Sequence, residues 1–316
     1  MKFSVSVIIP VYNGERFIEK AIQSALQQPE VSEVVIVNDG STDNTLNIVE
    51  NLQSQNSRIQ IYNHKNHQNK GRSESRNLGI EKAKTDYIAF LDADDFYLED
   101  RFKNDAYLFH ENKDIDGVYN AIGAHFYREA SKEEAEKLKI TTITTVVEPE
   151  ELFETLLYYR KGHFSIDGLT LKRSVFDSFD GFSKKLKVAE DTELFYRLAL
   201  KYNLKTGVID RPLAMRGVHE ENVFNNEKLY NKTKINIYEL LIKWSLKNKI
   251  AFEKIDHILN VLWLNKYQER NSLIKNTSYW FYLFFSNPRL LFTKLSIKYF
   301  PVVRLRQKLF PFLYKQ

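Results

Sequence analysis

Two aspartates separated by one residue follow a short apolar segment. Asp92-Ala93-Asp94 comes directly after Tyr87-Ile88-Ala89-Phe90-Leu91, and Asp95 adds a third carboxylate. Carboxylate oxygens are hard ligands for Mg²⁺ or Mn²⁺, ions that also bind substrate phosphates. The same cluster is also typical of an ordinary loop or helix cap before Phe96. Because the apolar segment has the length of a buried strand, we favour the metal-binding interpretation.

Polar residues also follow two earlier apolar segments. The first is Val5 to Ile9, which runs into Pro10-Val11-Tyr12-Asn13-Gly14. The second is Val34 to Val37, which runs into Asn38-Asp39-Gly40-Ser41. A carboxylate such as Asp39 at a strand end can accept hydrogen bonds from a nucleobase or ribose, although Asp39-Gly40 is equally typical of a simple turn. Tyr12 can stack on a base or pack against the turn, and the residues alone leave both open.

Cations and acids later in the chain have the same ambiguity. Lys70, Arg72 and Arg76 lie near a predicted helix start, which is a ready anion site, but each is also typical of a solvated helix face. Asp191, with Glu190, opens another predicted helix, where acids commonly pair with the helix dipole. His219 by itself is more often a structural histidine than a ligand.

These residues require a scaffold that brings strand ends together. Apolar strands alternate with amphipathic helices over the first part of the chain, which predicts an α/β fold with a mostly parallel sheet flanked by helices. Ligands bind at the carboxyl ends of such strands. The predicted strands are 5–9, 34–37, 59–61 and 87–91, and the predicted helices are 17–26, a segment capped by Ser41 or Thr42, and 73–82.

The later part of the chain is less regular. Residues 131–139 are charged and are predicted to be a solvated excursion, 181–200 has helical spacing, and 204–215 is interpreted as one strand. From Tyr230 onward only helical patterns remain. We therefore place a domain boundary near Asn225, with a catalytic domain at 1–225 and a helical, basic and aromatic C-terminal region at 226–316.

Composition restricts the function classes. The chain has 316 residues, no cysteine and a net charge of +5. The absence of cysteine excludes disulfides and thiolate zinc sites and fits a reducing compartment. No signal peptide is predicted before the first strand, so we expect a cytoplasmic protein. Residues 273–316 contain eight Lys or Arg and no Asp or Glu, so residues 1–272 sum to −3. A positive charge confined to the tail argues against nucleic acid as a partner.

The tail suggests a membrane surface as a partner. Twelve of its 44 residues are Phe, Tyr or Trp. The apolar segment from Tyr279 to Phe285 is too short to span a bilayer. Aromatic rings and cations are both attracted to the headgroup level of anionic lipid. We therefore expect peripheral attachment at the inner face of the cell membrane, with internal packing, acceptor docking or contact with another subunit as alternatives.

Five segments taken in order resemble the family 2 glycosyltransferases, which have the GT-A fold. The resemblance covers about residues 4–222. The segments that carry it are Ser6 to Asn13, Val37 to Asp43, Ser75 to Ile80, Tyr87 to Asp95, and Ala189-Glu190-Asp191. Each motif alone is weak, but five in the expected order are specific.

The resemblance implies a metal-dependent, inverting glycosyltransferase that uses a nucleotide-sugar donor, most often a UDP-sugar. Asp191 matches the catalytic base that deprotonates the acceptor hydroxyl. Asp94 would bind Mn²⁺ or Mg²⁺, and His219 resembles the late histidine that completes the metal site. The implied donor-binding residues are Pro10, Tyr12, Asp39, Lys70, Arg76, Asp92, Ala93 and Asp94. Relatives act in bacterial surface-polysaccharide synthesis, which suggests a saccharide acceptor, plausibly lipid-linked.

Two departures and two alternatives accompany this interpretation. Ser75 replaces a usual alanine, and Val188-Ala189 lies before Glu190, where a glycine is common, which leaves the geometry around Asp191 less defined than that of the donor site. One alternative function is a non-catalytic nucleotide-sugar-binding protein. The other is a phosphatase of the haloacid-dehalogenase type, whose nucleophile also follows a buried strand as Asp-x-Asp. That motif continues with Gly-Thr or Gly-Val, whereas this chain has Asp95-Phe96.

Overall fold

The computed structural model describes residues 3–222, 227–269 and 271–304. The chain divides into two compact units, Met1–Glu227 and Lys228–Gln316. Unit 1 is a mixed α/β unit and unit 2 is helical. The strands are β1 Val5–Val11, β2 Val31–Asn38, β3 Ile59–Asn63, β4 Tyr87–Phe90, β5 Phe96–Tyr97, β6 Gly117–Tyr119, β7 Ile122–Phe126, β8 Leu169–Lys172, β9 Leu204–Thr206 and β10 Ala214–Val218.

Helices cover the strands of unit 1 and make up unit 2. In unit 1 they are α1 Ile18–Leu26, α2 Thr45–Gln55, α3 Arg72–Lys82, α4 Lys103–Glu111, α5 Lys132–Leu138, α6 Pro149–Leu157 and α7 Glu190–Lys201. From the unit boundary onward they are α8 Glu227–Lys247, α9 Phe252–Gln268, α10 Leu273–Phe285, α11 Pro288–Leu291, α12 Lys294–Tyr299 and α13 Pro301–Arg304. Short 3-10 turns occupy Lys65–His67, Ile166–Gly168 and Arg173–Asp177.

A seven-stranded sheet in the order β3-β2-β1-β4-β8-β6-β9 forms the centre of unit 1. The pairs β3–β2, β2–β1, β1–β4 and β6–β9 are parallel, and β8 is antiparallel to both of its neighbours. This confirms the predicted mostly parallel sheet. All seven residues of β1 are buried, as expected for a central strand covered on both faces.

A second sheet of three strands has the order β5-β10-β7. The prediction of a single strand over 204–215 was therefore wrong, because β9 belongs to the large sheet and β10 to the small one. Two residues explain the break. A Cβ on Gly207 would lie 2.2 Å from Asn120 Oδ1, so the chain turns away there. Pro212 has no N–H group with which to continue a strand ladder.

One smaller prediction differs from the structure, and the solvated character of 131–139 is confirmed. Helix α2 begins at Thr45 rather than next to Ser41 or Thr42, because Ser41 Oγ accepts a hydrogen bond from Asn13 N, at 3.0 Å. Asp43 Oδ1 accepts the Thr45 N–H at 3.0 Å in its place. The charged segment 131–139 contains helix α5, whose first turn is capped by Ser131, and it has no buried residue.

The C-terminal helices fold around their own buried residues, which include Leu259, Leu262, Trp263 and Phe284. This confirms a helical C-terminal extension. Within the described parts of the chain, no helix combines the length and the apolar composition needed to span a bilayer.

Candidate active site

The carboxyl ends of β1, β2 and β4 lie side by side, as the parallel order requires. The end residue of β1, Val11, pairs with Asn38 of β2. Pairing of β1 with β4 stops at Ile8 and Phe90, two residues before Pro10. Pro10 cannot donate a backbone hydrogen bond, so it suits the point where β1 separates from β4. The segments that follow these strands carry Tyr12, Asp39 and the Asp92-Ala93-Asp94 motif to one edge.

Asp39 is buried and holds the loop that precedes α3. Its Oδ1 accepts the Lys70 N–H at 2.7 Å, and its Oδ2 accepts the Gly71 N–H at 2.8 Å. His64 Nε2 lies 3.4 Å from Oδ1. The next residue, Gly40, has φ +77°, and a Cβ there would lie 2.5 Å from His67 O. Asp39 therefore positions the backbone of Lys70, whose side chain is exposed, as is Tyr12.

Arg76 joins two segments that are far apart in sequence. Its Nη2 donates to Asp92 Oδ1 at 2.5 Å, and its Nη1 donates to Glu190 Oε1 at 2.8 Å. Its side chain is only 1% exposed. Burial opposes its charge, but the carboxylates of Asp92, Glu190 and Asp191 raise the pKa of Arg76 above its usual range. Arg76 therefore acts as a buried clamp between the end of β4 and the start of α7.

Asp94 and His219 lie together on the predicted metal site. Asp94 Oδ2 lies 3.0 Å from His219 Nε2. Asn222 Nδ2 lies 3.1 Å from each of these two atoms. The His219 ring stacks on Phe17 with centroids 4.9 Å apart, which fixes its plane. Burial and the charge of Asp92 raise the pKa of Asp94, while the hydrogen bond with His219 opposes that rise.

This pair fits a divalent ion. Asp94 and His219 would hold the ion through Oδ2 and Nε2, which lie 3.0 Å apart. A carboxylate oxygen and an imidazole nitrogen suit Mn²⁺. Two protein ligands leave the remaining positions to water and to phosphate oxygens, as is usual for ions that bind together with a nucleotide.

A second acidic group lies behind the first. Asp92, Asp95 and Asp167 present oxygen atoms within 4.8 Å of one another, an arrangement that can hold a cation. Their oxygens already have partners: Asp95 Oδ1 accepts the Gly217 N–H at 2.8 Å, and Asp167 Oδ1 accepts the Asp92 N–H at 3.1 Å. Burial, followed by the charge of Asp167, raises the pKa of Asp95 well above its usual range. Burial and Asp92 likewise raise the pKa of Asp167. Carboxylates this close together favour the binding of a proton or of a cation.

The residues that the sequence did not reveal are Asp167, Arg216 and Asn222. Asp167 Oδ2 accepts the hydroxyl of Ser165, which in turn accepts the Arg216 guanidinium at 3.0 Å. Burial opposes the charge of Arg216, but the surrounding aspartates raise its pKa. Arg216 therefore balances the charge of this acidic group. The only signal for Arg216 in the sequence was its position three residues before His219.

Asp191 lies in the first turn of α7. Its Oδ1 accepts the Thr192 N–H at 2.7 Å. The residue before the helix, Ala189, has φ +55° and ψ +27°, the left-handed conformation that favours glycine. Within Val188-Ala189, where a glycine is common, Ala189 thus has a backbone conformation typical of glycine. Tyr159, which is 60% exposed, and His163 are within electrostatic reach of Asp191.

The remaining predicted donor residues flank this edge. Pro10 is buried in β1. Ala93 is half-buried and packs against the core below β1. The structure thus brings the predicted residues to one edge of the sheet. Arg76 differs from the others in the direction of its side chain. Its guanidinium is directed at carboxylates rather than at open solvent.

The comparisons with known proteins identify the family. The sequence profile of glycosyl transferase family 2 matches residues 6–179, which is more than half of the chain. The chain therefore belongs to glycosyltransferase family 2. Membership in this family contradicts the phosphatase alternative.

Relatives and solved structures add detail. The chain is 26% identical over 268 residues to the minor teichoic acid biosynthesis protein GgaA of Bacillus subtilis, covering 81% of this chain and 56% of GgaA. It resembles Staphylococcus aureus TarS residues 1–349 in complex with UDP-GlcNAc, with TM-score 0.62, 21% identity and coverage of 82% and 70%. It also resembles the Pyrobaculum calidifontis mannosyltransferase PcManGT in complex with GDP-Man and Mn²⁺, with TM-score 0.52, 16% identity and coverage of 97% and 87%.

Both structural likenesses show the fold, which is GT-A, as predicted. The chain spans less than half the length of several curated glycosyltransferases that it matches at 36–39% identity, namely 39%, 16% and 35% of them.

Proposed function

We propose that this glycosyltransferase moves a sugar from a UDP-sugar to a saccharide hydroxyl with inversion at the anomeric carbon. The observation that carries the proposal is the clamp of Arg76 between Asp92 and Glu190. It ties the segment after β4, which bears Asp94, the partner of His219, to the start of α7, which bears Asp191. The two proposed metal ligands on the donor side and the proposed base are thereby held in a fixed arrangement, as a single displacement requires.

The donor end of the site is formed by the β1, β2 and β4 segments. We assign Tyr12 and Asp39 to the nucleobase, Asp92 to the ribose, and Lys70 to the diphosphate. Pro10 and Ala93 shape the floor. The two carboxylate oxygens of Asp39 already accept the N–H groups of Lys70 and Gly71. Their remaining lone pairs can accept hydrogen bonds from a base. Arg76 acts through Asp92 rather than by touching the donor. The UDP complexes of TarS support a uridine nucleotide.

Asp94 and His219 are the proposed ligands of Mn²⁺ or Mg²⁺. When bound, the ion neutralises the charge that develops on the departing diphosphate. The Mn²⁺ in the mannosyltransferase complex supports this assignment. Asp94 is the residue whose loss is expected to abolish both metal-linked nucleotide binding and transfer.

Asp191 is the proposed base. The acceptor hydroxyl gives its proton to Asp191 while its oxygen attacks the anomeric carbon, and the UDP oxygen leaves with the bonding electron pair. No covalent sugar–protein intermediate is needed, so the sugar inverts. Tyr159 and His163, which lie near Asp191, are the residues we expect the acceptor to contact. Aromatic faces suit the apolar face of a sugar ring.

We propose a saccharide acceptor in bacterial surface-polysaccharide synthesis, and a lipid-linked one in particular. The likeness to GgaA, which is named for minor teichoic acid biosynthesis, supports a cell-surface polymer. An acceptor carried on lipid also favours a location at the inner face of the cell membrane.

The test is nucleotide release measured with a panel of UDP-sugars, Mn²⁺ and saccharide acceptors. The wild-type enzyme should release UDP with one donor and require the ion. Asp191→Asn should still be stabilised by UDP and Mn²⁺ in thermal unfolding but should not turn over. A protein that is stabilised by UDP and Mn²⁺ yet releases no UDP with any donor and acceptor would instead be the non-catalytic binding protein.

A further inference from the structure

Helix α10 has two apolar faces, and one of them is exposed. Ile274, Phe281 and Phe285 are seven and four residues apart, so they share one side of the helix. Their side chains are 79%, 48% and 59% exposed. The buried Trp280 and Leu283 lie on the opposite side and form the core of unit 2. Burial in the unit's own core therefore accounts for one face of α10 and not for the other.

Two more exposed large apolar side chains follow α10 in the chain. Phe292 is 89% exposed and Ile297 is 67% exposed. Large apolar residues scattered singly on a surface are ordinary, but three on one face of a single helix indicate a docking surface. We call the five residues Ile274, Phe281, Phe285, Phe292 and Ile297 the apolar ridge.

Only positive charge accompanies the apolar ridge within its own segment. Residues 273–304 contain Lys275, Arg289, Lys294, Lys298 and Arg304 and no Asp or Glu. Lys298 is neutralised by Asp256 of α9, at 2.5 Å. Lys275 and Lys294 are exposed and form no salt bridge with any described residue. The surface therefore combines apolar side chains with uncompensated cations.

We infer that the apolar ridge docks on an anionic lipid bilayer, with its rings at the headgroup level. Such a surface offers an apolar boundary for the rings and negative charge for the lysines, which are the two properties that interfacial segments require. A second copy of the chain fits less well. A two-fold interface would place the ridge and its cations against themselves, and like charges would face each other.

This inference extends the proposed function. Its biological purpose rests on that function, because a lipid-linked acceptor would lie in the plane of the same membrane. The physical claim about lipid binding does not depend on which sugar is transferred. Attachment through the ridge would confine enzyme and acceptor to one surface.

The experiment is co-sedimentation of the full chain with vesicles of phosphatidylcholine, with and without 30% phosphatidylserine. We expect binding to the anionic vesicles and little binding to the neutral ones. Phe281→Ser with Phe285→Ser should weaken anionic binding at least tenfold, because two exposed rings no longer insert. Lys275→Gln and Lys294→Gln should each weaken it about fivefold.

The matched control is Phe252→Ser in α9. Phe252 is 47% exposed and lies outside the ridge. The Phe252→Ser variant should bind vesicles as strongly as the wild-type chain does. Unchanged thermal unfolding of each variant would show that the fold is intact, and UDP release with a soluble acceptor would report the proposed transferase separately.

Negligible binding of the wild-type chain to both vesicle types would overturn the inference. Equal losses of vesicle binding in the variant that carries Phe281→Ser with Phe285→Ser and in Phe252→Ser would also overturn it. Self-association in analytical ultracentrifugation that the ridge variant abolishes, without vesicle binding, would make the ridge a contact between copies and would also overturn it.

Discussion

Replacement of Arg76 tests how the two halves of the site are joined. The guanidinium makes two charge-assisted hydrogen bonds, and its partner Glu190 is 3% exposed. Removal of one partner from a buried ion pair costs about 3–5 kcal/mol, because the remaining charge has no compensation. Arg76→Ala should therefore lower the free energy of unfolding of unit 1 by about 3–5 kcal/mol. Arg76→Lys keeps the charge but reaches one carboxylate at a time, so it should lose about 1.5–3 kcal/mol, the contribution of one charged hydrogen bond.

Arg72 supplies the control. Its Nε lies 3.4 Å from the same Glu190 oxygen, but its side chain is 40% exposed. An exposed pair contributes about 0–1 kcal/mol, so Arg72→Ala should change stability by less than about 1 kcal/mol. Both variants remove a positive charge from Glu190, and they differ in the burial of the arginine and in the additional bond of Arg76 to Asp92.

Urea denaturation followed by two probes measures the effect. The three tryptophans are Trp244, Trp263 and Trp280, all in unit 2, so their fluorescence follows that unit while far-UV circular dichroism follows both. A lower midpoint by circular dichroism is expected for Arg76→Ala. A change in stability below about 1 kcal/mol, or an equal loss from Arg72→Ala, would refute the clamp.

Four further changes have defined outcomes. Asp94→Ala should abolish transfer and remove the stabilisation by UDP with Mn²⁺; full wild-type activity in excess EDTA would contradict the metal assignment. Asp191→Asn should lower turnover at least about a hundredfold while leaving UDP affinity unchanged, and near wild-type turnover would shift attention to Glu190. The raised pKa of Asp95 means that the folded protein binds the Asp95 proton more tightly than the unfolded chain does. The resulting contribution to the free energy of unfolding is full at low pH and is lost as pH rises through the folded pKa. Asp95→Asn, which can still accept the Gly217 N–H, should therefore flatten the loss of stability as pH rises above the ordinary aspartate range in a denaturant titration, and an unchanged slope would exclude a protonated Asp95. Ala189→Gly should keep activity and remain within about 1 kcal/mol of wild-type stability, since glycine adopts the observed positive φ without strain; a large loss of turnover would show that the Ala189 methyl group has its own contact.

The donor side of the site could be predicted because each sequence pattern that forms it lies within one short segment. Apolar segments at β1, β2 and β4 each end at a polar motif, and parallel strands place such ends together. Asp92, Asp94 and Asp39 could therefore be assigned to one rim without long-range information. The close approach of His219 to Asp94 came from resemblance alone, since 125 residues separate them.

Other parts of the site depend on contacts that no local pattern records. Asp167 lies in a 3-10 turn with no periodicity, and its role comes from its burial beside Asp95 and Arg216. The burial of Arg76 depends on Glu190, which is 114 residues away. The split of 204–215 into two strands depends on the close approach of Gly207 to Asn120, which a strand pattern cannot show.

The most direct test of the central claim is the anomeric configuration of the first product, followed by NMR with the donor and acceptor that the nucleotide-release panel identifies. A single displacement with Asp191 as base predicts that the first-formed glycoside has the configuration opposite to that of the UDP-sugar. A product that retains the donor configuration would contradict the account, because it would require a second displacement and a nucleophile that the proposed mechanism does not contain.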